Sequence, residues 1–526
     1  MSFSPGAAAL RIVRAPDPAT AAEPPSTAEL LCLGGDGRIH LDTAGRANRY
    51  GCAPRPDDAL VAFGSSTAST VSCEAFAAAD RLRSRLVQAL EHAPSEAVYA
   101  RETARIRAEL LGLHGLEGQG VEVVLAPSGT DLHLFAGQLI AAGSATPLAI
   151  IPEESETGSG VPAALAGRSL PAPSHSGGAS AAAALAALDV RSVAARGPDG
   201  APRLRAAVDA DVEALAEAAA REGRPVLLVL IDVSKTGLVS PSPRCALALA
   251  ERFGGQVTVL VDACQLRLTA QTLQAYLDGG AMVALTGSKF LTGPAFSAAL
   301  LIPRALAATM STRSLPPALQ AVSARADWPS GWVAGRGMQP GANLGLLVRW
   351  EAALEELRRF ADVSDGQAQA FAAGFGCGVR QAFDAHPELD PLETGPVERD
   401  FGGGLGWDRL RTIFPFLLRR ASGGWLSRAE TLQVYRLMRR DLGAVAPSRP
   451  STARAAASSR IELGQPIAVG RRDGVAVHAL RICLSSRLIH QATGGDPRAA
   501  ARILEDVRLA LAKAAWLARE VGAGRL

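Results

Sequence analysis

Val257-Thr258-Val259-Leu260-Val261-Asp262-Ala263-Cys264-Gln265 is a short apolar run that ends in an acid and then an amide. A β-branched run of this length reads as a strand buried on both faces. Met282-Val283-Ala284-Leu285-Thr286-Gly287-Ser288-Lys289-Phe290 follows the same plan, with a lysine among small residues and Gly293-Pro294 just beyond. Further apolar runs of strand length occupy 121–125, 147–152, 225–231 and 298–302, and helical periodicity fills 209–221 and 242–253. Buried strands alternating with helices predict an α/β fold with a mostly parallel sheet sandwiched by helices. In such sheets functional groups gather at the carboxyl ends of the strands. Asp262, Ser288 and Lys289 fall there.

Segments 75–113 carry helical periodicity enough for two helices, and a short strand is expected at 38–42 after Gly34-Gly35-Asp36-Gly37. Residues 43–50 read as loop, Pro198-Asp199-Gly200 as a turn, and the Gly-, Ser- and Pro-rich stretches 154–178 and 447–459 as loops. Beyond 345 the pattern changes to a helix at 346–360, strands near 412–418 and 476–483, and a terminal helix over 497–520. We therefore divide the chain into an N-terminal segment (1–60), a large domain (61–345) and a smaller C-terminal α/β domain (346–526). No internal repeat is visible.

At 526 residues the chain has room for about three units of roughly 150 residues. Its 48% apolar and 20% charged content excludes full-length disorder. Lys and Arg total 54 against 51 Asp and Glu, and the basic residues are scattered, which argues against a nucleic-acid partner. The most apolar stretch, 135–151, is interrupted by Gln138, Ser144, Thr146 and Pro147, which argues against a membrane span. Residues 1–25 lack the charged-then-apolar order of a signal peptide. The seven cysteines show no CxxC pair and no Cys/His cluster, which speaks against structural zinc and fits a reducing cytoplasm.

Ser128-Gly129-Thr130 lies between a strand and a helix, where unpaired N–H groups and the helix dipole suit a phosphate. Each feature has a plainer explanation on its own. Ser-Gly-Thr makes a helix cap, an acid after a strand makes a turn, and a lysine usually sits at the surface.

Together, in order and at this spacing, the three elements resemble pyridoxal phosphate (PLP) enzymes of fold type I, specifically the aminotransferase class V and cysteine desulfurase branch. Asp262-Ala263-Cys264-Gln265 resembles the branch's Asp-x-x-Gln element. Ser288-Lys289, 27 positions after Asp262, resembles its Schiff-base lysine element. The likeness is good over 120–305 and looser at Leu41-Asp42-Thr43-Ala44-Gly45 and Leu480-Arg481-Ile482. It implies that Lys289 forms the Schiff base and that Asp262 keeps the cofactor's ring nitrogen protonated. Gln265 would donate to the ring oxygen, and Ser128, Gly129, Thr130 and Ser288 would hold the phosphate. It implies Arg481, with Arg487 as fallback, as the clamp on a substrate carboxylate. Ser234, in Asp232-Val233-Ser234-Lys235-Thr236-Gly237, replaces the branch's usual Asn or forms a plain turn. Lys235 is a rival for the Schiff base, ranked below Lys289 because the branch places its Asp before its Lys. The ring-stacking histidine has no counterpart after Pro152. Either the 153–158 loop or His175 takes its place. His133 reads as a helix-face residue, Asn48 and Tyr50 are lesser candidates near the substrate, and the polar cluster Phe63-Gly64-Ser65-Ser66-Thr67-Ala68-Ser69 either serves the substrate or forms a plain helix cap and loop.

The resemblance implies an enzyme that forms an external aldimine with an amino acid, most simply an aminotransferase. A lyase or carbon–carbon-bond-forming enzyme on the same cofactor is the alternative, and a catalytically idle binding protein is the third. A persulfide-forming desulfurase is disfavoured because 451–477 contains no cysteine and Cys483 follows Arg481 instead of preceding it. The branch commonly builds its site at a dimer interface, so a homodimer is expected.

Overall fold

A computed structural model describes residues 24–142, 146–153, 155–168, 185–401, 406–445 and 451–526. His175 lies outside the described residues, as do 154 and 169–178 of the expected 154–178 loop. The strands are β1 (Leu60–Phe63), β2 (Glu122–Ala126), β3 (Leu148–Pro152), β4 (Asp189–Val193), β5 (Val226–Asp232), β6 (Val239–Ser240), β7 (Val257–Ala263), β8 (Met282–Thr286), β9 (Ala298–Ile302), β10 (Leu389–Pro391), β11 (Ile413–Leu418), β12 (Arg460–Arg472) and β13 (Val475–Cys483).

The larger sheet has the order β2-β9-β8-β7-β5-β3-β4, with the short β6 paired to β5. Strands β8, β7, β5, β3 and β4 run parallel, and β9 is antiparallel to both of its neighbours. The central strands are apolar throughout because both faces are covered. Val257, Val259, Val261 and Ala263 of β7 enter one core, while Leu260, and Cys264 just beyond the strand, enter the other. The alternation puts Asp262 on the side of Leu260 and Cys264, the side packed by the helix Gly129–Ala141. Side-chain caps set the helix starts. Ser242 accepts from the Cys245 N–H, with Pro243 in the first turn.

The second sheet has the order β1-β12-β13-β11-β10 and is antiparallel except where β1 runs beside β12. Residues 60–63, at the expected first boundary, thus pair with 460–463. The helix Leu344–Ala361 packs on the helices Cys73–Leu90 and Ser95–Leu113.

Three local expectations are corrected. Within the expected 154–178 loop, Val161–Leu165 is helical, with Val161, Ala164 and Leu165 buried against the Gly129–Ala141 helix. Residues 38–42 form turns and not a strand, because Asp36 takes the Arg38 backbone N–H and its guanidinium, and Asp42 caps the turn that follows. Within the expected 447–459 loop, Ser451–Ser458 is helical, with Ala456 and Ala457 buried. Among the described residues no helix is long and apolar enough to cross a membrane.

Candidate active site

The carboxyl ends of β2, β7 and β8 open onto a cavity of about 240 Å³. Ser128, Gly129, Thr130, Asp262, Ser288, Lys289 and Arg481 all line it. Seven residues separated by up to 353 positions therefore meet in one place, as the sequence reading requires.

Gly129 has a steric reason to be glycine. A Cβ there would lie 2.8 Å from Cys264 Sγ, so only a bare backbone lets the helix start approach the β7 end this closely. Ser128 is occupied differently from expectation. Its N–H and Oγ–H both donate to Asp131 Oδ2, at 2.8 and 2.7 Å, in a capping box. That corrects its assignment as a free anion donor. The Gly129 N–H, the Thr130 N–H and the Thr130 hydroxyl remain without acceptors among the described residues. Burial pushes the Asp131 carboxyl up to about 6 despite the Ser128 bonds, and its Oδ1 is buried without a partner.

Asp262 is 8% exposed. Its Oδ1 accepts the Cys264 N–H at 3.1 Å, and its Oδ2 lies 3.4 Å from His133 Nε2. The ring of His133 is oriented from its other side, where Nδ1 donates to the Gly129 carbonyl at 2.7 Å; a carbonyl can only accept. Burial alone would raise the Asp262 carboxyl. The nearby charges of His133 and then Lys289, with the Cys264 N–H, outweigh burial and hold it below the usual carboxylate range. Sequence reasoning placed His133 on a helix face and missed this contact. The available signal was its position one helical turn after Gly129, on the face toward the strand ends.

Lys289 is half-buried in the tight loop after β8. The loop is fixed by Gly287 N–H to Ser297 O at 2.9 Å and by Gly293 N–H to Gly287 O at 2.9 Å. A Cβ on Gly287 would meet Ala353, so the loop packs tightly on the Leu344–Ala361 helix. Lys235 also reaches the cavity lining.

Arg481 of β13 is buried. It donates to Thr67 Oγ1 at 2.9 Å and to the carbonyls of Gln465 and Lys235 at 2.5 and 3.3 Å. Its Nε–H has no acceptor, and no carboxylate pairs with it among the described residues. Burial lowers its affinity for its proton. Arg487 instead pairs with Glu356 at 3.0 Å and serves the packing of helices.

Three expected residues are not brought to the cavity lining. Asn48 Oδ1 accepts the Tyr50 and Cys52 N–H groups and staples its own loop. Ser234 donates to Glu156 Oε2 at 2.6 Å, inside a buried cluster with Thr236 and Arg196, so it forms the turn and not a ring contact. Gln265 donates from Nε2 to the Ser66 carbonyl at 3.0 Å. Asp42 to Gly45 lie on an exposed loop. The sequence reading underrated Tyr50, and it missed Arg38 and Phe296. All three line the cavity, with Arg38 paired to Asp36 at 2.7 Å and held 4.9 Å over the Phe296 ring. Among the described residues, no group of three or more His, Cys, Asp or Glu could hold a metal ion.

No family model matches the chain, and no curated protein matches it in sequence. Solved structures do match. A variant of C-DES with glycine covalently linked to its PLP cofactor superposes with a TM-score of 0.51 at 15% identity, over 85% of this chain and 96% of that one. A NifS-like protein superposes with a TM-score of 0.50 at 12% identity, over 85% and 98%. Sphingomonas wittichii serine palmitoyltransferase gives 0.48 at 11%, over 87% and 88%. The chain has the fold of the fold type I PLP-dependent enzymes.

Proposed function

We propose that this chain is a PLP-dependent enzyme acting on an amino acid, and that its reaction is transamination. The observation that carries the reading is the convergence of Lys289 and the ionised Asp262 on one cavity. The residues present suit the cofactor. An amine and a carboxylate share the cavity, and among the described residues the start of the Gly129–Ala141 helix has open donors and Arg481 has a buried N–H without an acceptor.

Lys289 would hold PLP through its ε-amine and Asp262 would hold the ring nitrogen. The Gly129 and Thr130 N–H groups, with the Thr130 and Ser288 hydroxyls, would hold the phosphate. When bound, PLP supplies an electron sink for charge left at the substrate's α-carbon. The rest belongs to the chain. The interactions of His133 and Lys289 with Asp262 outweigh its burial and hold its carboxyl below the usual range, and a charged acceptor is the form that holds a protonated ring nitrogen. Arg481 takes the substrate carboxylate and so fixes which bonds of the α-carbon face Lys289. The Lys289 amine would take the substrate's α-proton and keep it at hand for return, the proton movement that transamination requires.

The test starts from protein loaded with PLP and reduced with borohydride, then digested and weighed. A pyridoxyl tag on the peptide containing Lys289 is expected, and Lys289→Ala should lose both the tag and the yellow colour. A tag on Lys235, or none, overturns the assignment. Single amino acids offered with a keto-acid acceptor should then yield a new keto acid. Release of ammonia or carbon dioxide in its place would overturn transamination while leaving the cofactor reading intact.

A further inference from the structure

The hydrogens of Arg481 can be counted. Nη2 spends both of its hydrogens, on Thr67 Oγ1 at 2.9 Å and on the Gln465 carbonyl at 2.5 Å. Nη1 gives one to the Lys235 carbonyl at 3.3 Å. The Nε–H is buried and has no acceptor among the described residues. A carboxylate that gripped Arg481 side-on through Nε and Nη2 would have to displace Thr67 or Gln465. The second hydrogen of Nη1 is also open, but it lies on another edge of the guanidinium; beside the occupied Nη2 only the Nε–H is open, so a carboxylate on that edge needs a second donor from elsewhere.

Thr67 has that donor. Its Oγ1 accepts from Arg481 Nη2 and also from the Gln465 N–H at 3.2 Å, which engages both lone pairs. The hydroxyl hydrogen has no acceptor among the described residues, and Thr67 lines the cavity. Gly464 of β12 packs closely on the same guanidinium. A Cβ on Gly464 would lie 2.8 Å from both Arg481 Nε and Ser66 Oγ.

We propose that the Thr67 hydroxyl is the second half of the substrate carboxylate seat. One carboxylate oxygen takes the Arg481 Nε–H and the other takes the Thr67 O–H, while the Thr67–Arg481 bond stays in place. This rests on the reading that Arg481 meets the carboxylate. It adds a residue, from the segment just after β1, that touches the substrate directly.

The test uses the PLP-loaded enzyme and two probes, L-alanine and ethylamine, which differ by the carboxylate. Binding is read from the shift of the cofactor's visible band, not from turnover. Thr67→Val should weaken L-alanine about tenfold or more and leave ethylamine within about twofold, because one hydrogen bond to a charged group is lost. Thr67→Ser keeps the hydroxyl and should stay within about threefold of the parent for both probes. Unchanged L-alanine affinity in Thr67→Val overturns the proposal, and so does equal weakening of both probes, which marks a purely structural role. Arg481→Gln separates the two levels. If it abolishes the preference for L-alanine over ethylamine and Thr67→Val does not, only the Thr67 assignment fails. If Arg481→Gln leaves that preference intact, the carboxylate is held elsewhere, and the Arg481 and Thr67 assignments fail together while the amino acid reading stands.

Discussion

Asp131 shows how the helix cap and the anion seat share one set of atoms. Its Oδ2 is held by Ser128, its Oδ1 has no partner among the described residues, and burial raises its carboxyl to about 6 from an ordinary value of 3.8. The folded chain therefore binds this proton more tightly than the unfolded chain. The stability that the proton brings is fully present below about pH 4 and is lost as the pH rises through about 6. The span corresponds to roughly 3 kcal/mol at most. Asp131→Asn keeps an acceptor for Ser128 and cannot titrate. Its urea midpoint should fall less than the parent's between pH 4 and 6, and parallel curves would refute the account. The cap explains why Ser128 was easy to misassign: Ser-Gly-Thr before a helix reads the same whether its hydroxyl faces a ligand or an acid three residues on. Asp262 and Lys289 were legible because each ends an apolar run. Arg38, Tyr50 and Phe296 were not, because they reach the cavity through long-range packing that no local pattern records.

At the level of elements, legibility follows burial. Strands β5, β7, β8 and β9 are buried along their whole length and stand out as apolar runs. Strand β4 is a half-exposed edge with Arg191 and Ser192 in it, and it gave no signal. Ser451–Ser458 was obscured by Pro447, Pro450 and a cluster of serines, although its Ala-rich middle favours helix once Ala457 is buried. The terminal helix Ala499–Gly522 was plain, but not what its Lys513 does. That side chain is fully buried and its ammonium donates to the carbonyls of Met438, Arg440 and Ser459 at 3.0, 2.6 and 2.5 Å. It closes the end of the helix Arg428–Met438 and ties it to the start of β12. Lys513→Met fills the same space and leaves three carbonyls without a donor. It should cost on the order of 3 kcal/mol in chemical denaturation. A loss under about 0.5 kcal/mol would mean that water replaces the ammonium without penalty.

Across the whole molecule, a buried ion pair at the end of β5 is one of the links between the larger sheet and the second. Arg399, between β10 and β11, reaches Asp232 through Nε at 2.6 Å and Nη2 at 2.5 Å, and its Nη1 donates to the Asp408 carbonyl at 2.5 Å. Tyr276 donates its hydroxyl to the same carboxylate at 2.5 Å, and both charged side chains are at most 1% exposed. The pair's net worth is small, because desolvation of two charges offsets their attraction. Breaking it is a different matter, since the survivor is a lone charge in the interior. Arg399→Met should therefore destabilise the fold by about 3–5 kcal/mol, whereas Arg399→Met combined with Asp232→Asn should recover a large part of that loss. Urea unfolding of the parent, the two single variants and the double variant gives the coupling directly. Losses that simply add would show that Asp232 and Arg399 act independently, and the join between the sheets would then rest on its other contacts, among them the Arg481 bond to the Lys235 carbonyl and the Arg267 bond to the Leu484 carbonyl.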